Sequence, residues 1–166
     1  MQRQSVPPLG YTPADEELLA AMQAAELAAR DLYQAAIDAG AEDDVYVALR
    51  DNHRAYVDAL SGLLGRTAMG RRDDTLYDEQ LTVFEATGTE LATGAYGFES
   101  SLLATNIDVL GQLQGADGAR RVASIVMVEA RHCAVLADLS GSGDDFTALF
   151  ENDAEPFELA VEAAPG

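Results

Sequence analysis

The chain places acidic and imidazole side chains on helix faces that should be buried. Glu129 and His132 stand three residues apart and therefore project from the same side of one predicted helix. Glu26, His53 and Glu99 each interrupt a series of apolar residues spaced three or four positions apart, which is the pattern of an amphipathic helix. Both histidines of the sequence therefore belong to predicted buried faces.

Ionised carboxylates are costly in a protein interior, and several close together also repel one another. A divalent cation bound between them resolves both problems, and carboxylate and imidazole ligands suit iron or manganese, with zinc as a further candidate. Tyr56, three residues after His53, adds a phenol that can donate a hydrogen bond to a neighbouring carboxylate. The candidate metal ligands are Glu26, His53, Tyr56, Glu99, Glu129 and His132. A single ion, or none, is also compatible with this set.

Four long helices are predicted to position these residues. The five prolines leave residues 14–155 free of the residue that most strongly interrupts a helix. Glycine-containing turns divide this span into helices over 13–40, 43–64, about 90–113 and 119–139, with a short helix over 75–86. The predicted buried face of the third long helix consists of Ala92, Tyr96, Glu99, Leu103 and Ile107.

The lengths of the links between the helices predict the topology. Short links join the first helix to the second and the third to the fourth, so each pair forms an antiparallel hairpin, while residues 66–88 cross between the hairpins. The predicted fold is all-α, an antiparallel four-helix bundle with one long crossover, as in ferritin-like proteins. Residues 1–11 are predicted to be an extended lead-in, 12–141 the bundle, and 142–166 an acidic C-terminal tail.

Over roughly residues 12–139 the sequence resembles the ferritin-like superfamily. Within it, the chain is similar to bacterial ferritin-like domain proteins of the actinobacterial type, which are neither iron-storage ferritins nor rubrerythrins. Glu129 and His132 resemble the family's fourth-helix Glu-x-x-His element, and Glu26 and Glu99 match its first-helix and third-helix glutamates. The resemblance implies a metal site in the centre of the bundle.

The second helix departs from the family pattern. It has His-Arg-Ala-Tyr at 53–56 where members that bind two metal ions have Glu-x-x-His, so an imidazole replaces a carboxylate and a phenol replaces the imidazole. A phenol, with an ordinary pKa of about 10, is a poor ligand at neutral pH. We therefore expect an ion to occupy the set Glu99, Glu129 and His132 first, and the half of the site from the first two helices to bind weakly or not at all.

Two interpretations of function follow. In the first, the protein binds metal and uses oxygen or peroxide to oxidise iron or a small substrate, as an iron- or manganese-dependent oxidoreductase. In the second, it is a non-catalytic structural or interaction bundle with a degenerate metal site. The intact Glu-x-x-His element favours the first interpretation, and the altered second helix favours the second.

Composition and charge limit the partners. All ten basic residues are arginine, which excludes chemistry that needs a lysine. The formal charge of −19 repels phosphate, so we predict that the protein binds neither nucleic acid nor anionic membrane. No apolar run approaches the ~20 residues of a bilayer-spanning helix, so no membrane insertion is predicted. Association into a homo-oligomer stays open, as does location, either cytoplasmic or exported with a signal peptide removed.

Overall fold

The computed structural model describes residues 10–159, and the regular structure of this part of the chain is entirely helical. Six α-helices follow one another: α1 Pro13–Asp38, α2 Asp44–Leu64, α3 Asp74–Phe84, α4 Gly88–Gln112, α5 Ala116–Leu139 and α6 Phe146–Phe150. The predicted all-α class is confirmed. Most of the predicted lead-in and the end of the acidic tail lie outside the described residues. Across 10–159, no helix is long and apolar enough to span a membrane.

Helices α1 and α2 form the first antiparallel pair. Gln23 Nε2 donates to Ser61 Oγ at 2.7 Å, while the ring of Tyr33 lies 6.5 Å from that of Tyr46. Residue numbers therefore rise along α1 as they fall along the facing side of α2. The turn between the helices contains Gly40, whose positive φ of 102° suits a residue without a side chain.

Helices α4 and α5 form the second antiparallel pair. Asn106 Nδ2 donates to Glu129 Oε1 at 2.8 Å, and Ser100 Oγ lies 3.9 Å from Cys133 Sγ. The connection between the two pairs contains α3, which packs against α1 and α4. The predicted hairpins and the single long crossover therefore agree with the structure.

A polar layer divides the bundle core into two apolar clusters. One cluster contains Leu32, Phe84 and Phe98, and the other contains Leu60 and Val122, all essentially inaccessible to solvent. Apart from Asp15 at the beginning of α1, the buried polar residues of the long helices fall at or near the depth where these two clusters meet. The apolar packing at both ends therefore fixes the depth at which the polar side chains face one another.

Asp15 joins the beginning of α1 to the turn between α4 and α5. Its buried carboxylate accepts hydrogen bonds from the backbone N–H groups of Thr12, Gln114 and Gly115 at 2.8, 2.8 and 2.9 Å. Burial raises the pKa of this carboxyl, but the hydrogen bonds from Gln114, Thr12 and Gly115 outweigh it and hold the pKa below its ordinary value. A side chain at Gly115 would collide with the backbone of residues 10 and 11, so the close approach requires glycine.

We predict that Asp15→Asn lowers the free energy of unfolding at pH 7 by about 2 kcal/mol, because charged acceptors make the stronger hydrogen bonds. The pKa of Asp15 is lower in the folded protein than in the unfolded chain. Its carboxylate therefore contributes stability above the ordinary pKa of 3.8, and this contribution is lost as the pH falls below that value. Urea unfolding should therefore show a smaller difference in the free energy of unfolding between wild type and variant at about pH 3.5 than at pH 7. A difference that stays constant would contradict this role.

Candidate metal centre

The four long helices bring their polar side chains together in one layer at the middle of the bundle. The layer contains all six sequence-predicted candidates and one further residue: Glu26 from α1, His53 and Tyr56 from α2, Glu99 and Asn106 from α4, and Glu129 and His132 from α5. Five of these side chains have no exposed surface, while His132 and Tyr56 are 4% and 8% exposed. The solvent-facing edge of the layer therefore lies between α2 and α5.

His53 lies at the centre of the layer, between two carboxylates. Its Nδ1 is 2.7 Å from Glu26 Oε2 and its Nε2 is 2.9 Å from Glu99 Oε1. The ring stacks on Tyr33 with centroids 5.5 Å apart. Burial alone would lower the pKa of His53, but the charge of Glu99 and the hydrogen bonds to Glu26 and Glu99 raise it well above its ordinary value. In the absence of a metal ion, His53 is therefore an imidazolium that donates to both carboxylates.

Glu99 accepts three hydrogen bonds. Tyr33 Oη and His53 Nε2 lie 2.7 and 2.9 Å from its Oε1, and His132 Nδ1 lies 3.1 Å from its Oε2. Burial raises the pKa of this carboxyl, but the charge of His53 and the hydrogen bonds from both imidazoles bring it well below its ordinary value. Glu99 is therefore an ionised carboxylate whose charge is compensated by protein groups.

Glu129 is in a different situation. Asn106 donates to Glu26 Oε1 at 2.9 Å and to Glu129 Oε1 at 2.8 Å, so one amide holds both carboxylates. Glu129 Oε2 and Asn106 Oδ1 are buried without a hydrogen-bond partner among the described residues. Burial, followed by the charges of Glu26 and Glu99, raises the pKa of Glu129 well above its ordinary value. Unlike Glu99, this carboxylate is therefore only partly compensated by the protein groups around it.

His132 lies at the solvent-facing edge and connects Glu99 to α2. Its Nε2 is 3.0 Å from the amide nitrogen of Asn52 and 3.4 Å from the hydroxyl of Tyr56. Burial, followed by the charges of the three glutamates, raises the pKa of the Tyr56 hydroxyl above its ordinary value, so the phenol stays protonated. Tyr56 is thus placed as a neighbour of His132.

Among residues 10–159, two sets of three residues have ligand atoms close enough to hold a metal ion. They are His53 with Glu99 and His132, and Glu26 with His53 and Glu129. In each set these atoms lie within 4.8 Å of one another. The set expected from the sequence, Glu99 with Glu129 and His132, is neither of these. Three residues along a helix correspond to a rise of about 4.5 Å, so Glu129 and His132 meet different turns of α4. Glu129 reaches Asn106, and His132 reaches Glu99.

The sequence interpretation missed Asn106. It placed the neighbouring Ile107 on the buried face of the third long helix, but Ile107 is 47% exposed and Asn106 is fully buried. The signal was present in the spacing, since Asn106 follows Glu99 by two helical turns and so lies on the same face. Arg30 on α1 and Arg50 and Arg54 on α2 make none of the hydrogen bonds described for the layer. Arg30 and Arg50 instead pair with Asp31 and Asp51.

The chemistry of the layer fits a divalent cation. Glu129 Oε2 has no hydrogen-bond partner, and ligand atoms of Glu26 and His53 lie within 4.8 Å of a carboxylate oxygen of Glu129. Carboxylate oxygen and imidazole nitrogen are ligands for iron, manganese and zinc. A cation here would also offset the repulsion between Glu26 and Glu129, which contributes to the raised pKa of Glu129.

Comparison with known families agrees with this architecture. Residues 14–142 match the family model described as the ferritin-like domain, which is more than half of the chain. The chain therefore belongs to the ferritin-like domain family. No curated protein and no solved structure matches it significantly.

Proposed function

We propose that the protein is a ferritin-like metal-binding protein that holds iron or manganese in its buried polar layer. The observation that carries this proposal is Glu129, a buried residue whose Oε2 has no hydrogen-bond partner and whose carboxylate lies close to a second carboxylate and an imidazole. Unpaired polar groups in a protein interior are rare and costly, so each requires an explanation. A bound cation supplies that explanation and also accounts for three glutamates at one depth in the bundle.

The proposal includes a reaction. Iron or manganese, when bound, supplies redox chemistry toward oxygen or peroxide, which can oxidise ferrous iron or a small substrate. The protein's own contribution is to orient the ligands and exclude water. Asn106 fixes one oxygen of Glu26 and one of Glu129, and Tyr33 fixes Glu99. His132 and Tyr56, the least deeply buried members of the layer, stand where a small molecule would approach.

A second candidate function is a non-catalytic bundle. The hydrogen bonds of the layer favour it, because in the described part of the chain only two buried side-chain polar atoms lack a partner without any metal. His53 as an imidazolium neutralises much of the charge that a cation would otherwise neutralise. Such a layer would specify how the helices align without taking part in chemistry.

Elemental analysis distinguishes the two functions. We predict that protein produced in medium with iron and manganese, then dialysed, retains one of these metals in an amount comparable to the chain. Wild-type protein should also consume oxygen when ferrous iron is added, and Glu129→Gln should consume no more than buffer alone. Protein that takes up no metal at any ratio would support the non-catalytic bundle, and stoichiometric zinc alone would contradict the oxidation reaction while leaving metal binding intact.

A further inference from the structure

We infer that the layer binds one ion per chain, held by Glu26, His53 and Glu129, while Glu99 and His132 remain hydrogen-bonded beside it. This inference rests on the proposed function, since it specifies the number of ions and their ligands. It also differs from the expectation based on the sequence, in which Glu99 and His132 bind the ion.

The number of ions follows from His53, which belongs to both possible ligand sets. A neutral imidazole has one nitrogen with a free lone pair and one that carries a proton. His53 turns Nδ1 toward Glu26 and Nε2 toward Glu99. An ion bound at one nitrogen therefore leaves the other to donate its proton to the opposite carboxylate. Filling both sets would require the ring to lose both protons, so one ion excludes the other.

The position of the ion follows from the free oxygens. Asn106 donates to Oε1 of both Glu26 and Glu129, so the Oε2 atom of each carboxylate is not held by this amide. Glu26 Oε2 faces His53 Nδ1 at 2.7 Å, and Glu129 Oε2 has no partner. An ion between these atoms uses the one carboxylate oxygen of the described residues that is buried without a partner. It also separates the two carboxylates that the protein holds with a single neutral amide.

The opposite set is already satisfied. Glu99 accepts hydrogen bonds from Tyr33, His53 and His132, at 2.7, 2.9 and 3.1 Å. An ion there would replace the hydrogen bonds that His53 and His132 make to Glu99. It would also leave Glu129 Oε2 unpaired. With the ion beside Glu129, the Nε2–H of His53 keeps its bond to Glu99, and such a carboxylate partner fixes the orientation of a metal-bound histidine.

A manganese titration with a matched pair of variants tests this inference. Metal-free protein titrated with Mn²⁺, with free ion followed by its paramagnetic resonance signal, should bind one ion per chain. Glu129→Gln should weaken Mn²⁺ binding by more than about 100-fold. Loss of a residue that only hydrogen-bonds to a metal ligand typically weakens binding by about 10–100-fold. His132→Gln, three residues further along the same helix, should change affinity by less than about tenfold, because His132 contacts neither ligand carboxylate.

A spectroscopic count of imidazoles gives an independent test. With Co²⁺ in place of manganese, proton resonance spectra should contain one strongly shifted exchangeable imidazole proton, from His53. Two such protons would place the ion between His53, Glu99 and His132. Circular dichroism of the metal-free variants checks their folding, and Glu26→Gln replaces Glu129→Gln if the latter does not fold.

The failures of the inference and of the proposed function are distinguishable. Two ions per chain, or binding lost in His132→Gln and retained in Glu129→Gln, would overturn the inference while the protein remains a metal-binding protein. No binding of Mn²⁺ or Co²⁺ by folded wild-type protein would overturn both.

Discussion

Replacing His53 with alanine should lower the free energy of unfolding of the metal-free protein by about 3–5 kcal/mol, the loss typical of breaking a buried ion pair. The two ring nitrogens lie 2.7 and 2.9 Å from Glu26 and Glu99, and none of the three side chains has exposed surface. The substitution removes the donor that these carboxylates share and leaves a cavity beside Tyr33. For a chain of this size, the melting temperature should fall by roughly 6–20 °C.

Chelator-treated protein is the correct sample for this measurement, because a bound ion would mask the loss. His132→Ala is the matched control, since it removes the second imidazole while Glu99 keeps its bonds from Tyr33 and His53. We expect a clearly smaller loss for the control. If the two variants lose equal stability, His53 is not the central cation of the layer.

Metal binding should stabilise wild-type protein strongly and Glu129→Gln hardly at all. A ligand that binds only the folded state adds about 2.7 kcal/mol when its concentration is 100 times its dissociation constant. This gain should disappear when Glu129 loses its charge, because its Oε2 is the free ligand atom of the site.

The same variant should behave in the opposite way without metal. Burial and the charges of Glu26 and Glu99 raise the pKa of Glu129, so its carboxyl destabilises the metal-free bundle. The amide of glutamine keeps an acceptor for Asn106 and adds N–H donors, so metal-free Glu129→Gln should be about 1 kcal/mol more stable than wild type. Thermal unfolding of both proteins, with Mn²⁺ and with chelator, measures both effects. An equal rise in both proteins on adding Mn²⁺ would show that the ion binds elsewhere.

The sequence could predict the structural features that depend on local periodicity and on the lengths of the links between helices. The spacing of apolar residues assigned Glu26, His53, Glu99, Glu129 and His132 to buried faces, and all five are buried. The short and long links indicated which helices pair. These features depend on one helix at a time, or on the length of chain between two helices, so they can be read directly.

The pairing of residues across helices could not be read in this way. Whether Glu129 meets Glu99 or Asn106 depends on how far α5 slides along α4, which the apolar clusters on both sides of the layer determine. A shift of one turn exchanges the partners without changing which face is buried. The contact of Asp15 with Gln114 and Gly115 has the same origin, because it joins residues about 100 positions apart.

Anomalous diffraction from crystals of the protein reconstituted with Mn²⁺, recorded above the manganese absorption edge, locates the ion itself. We expect a single anomalous peak in the polar layer, between Glu26, His53 and Glu129. A peak between Glu99 and His132, or two peaks, would contradict the assigned ligands. Absence of any peak in the layer of fully reconstituted crystals would contradict metal binding itself.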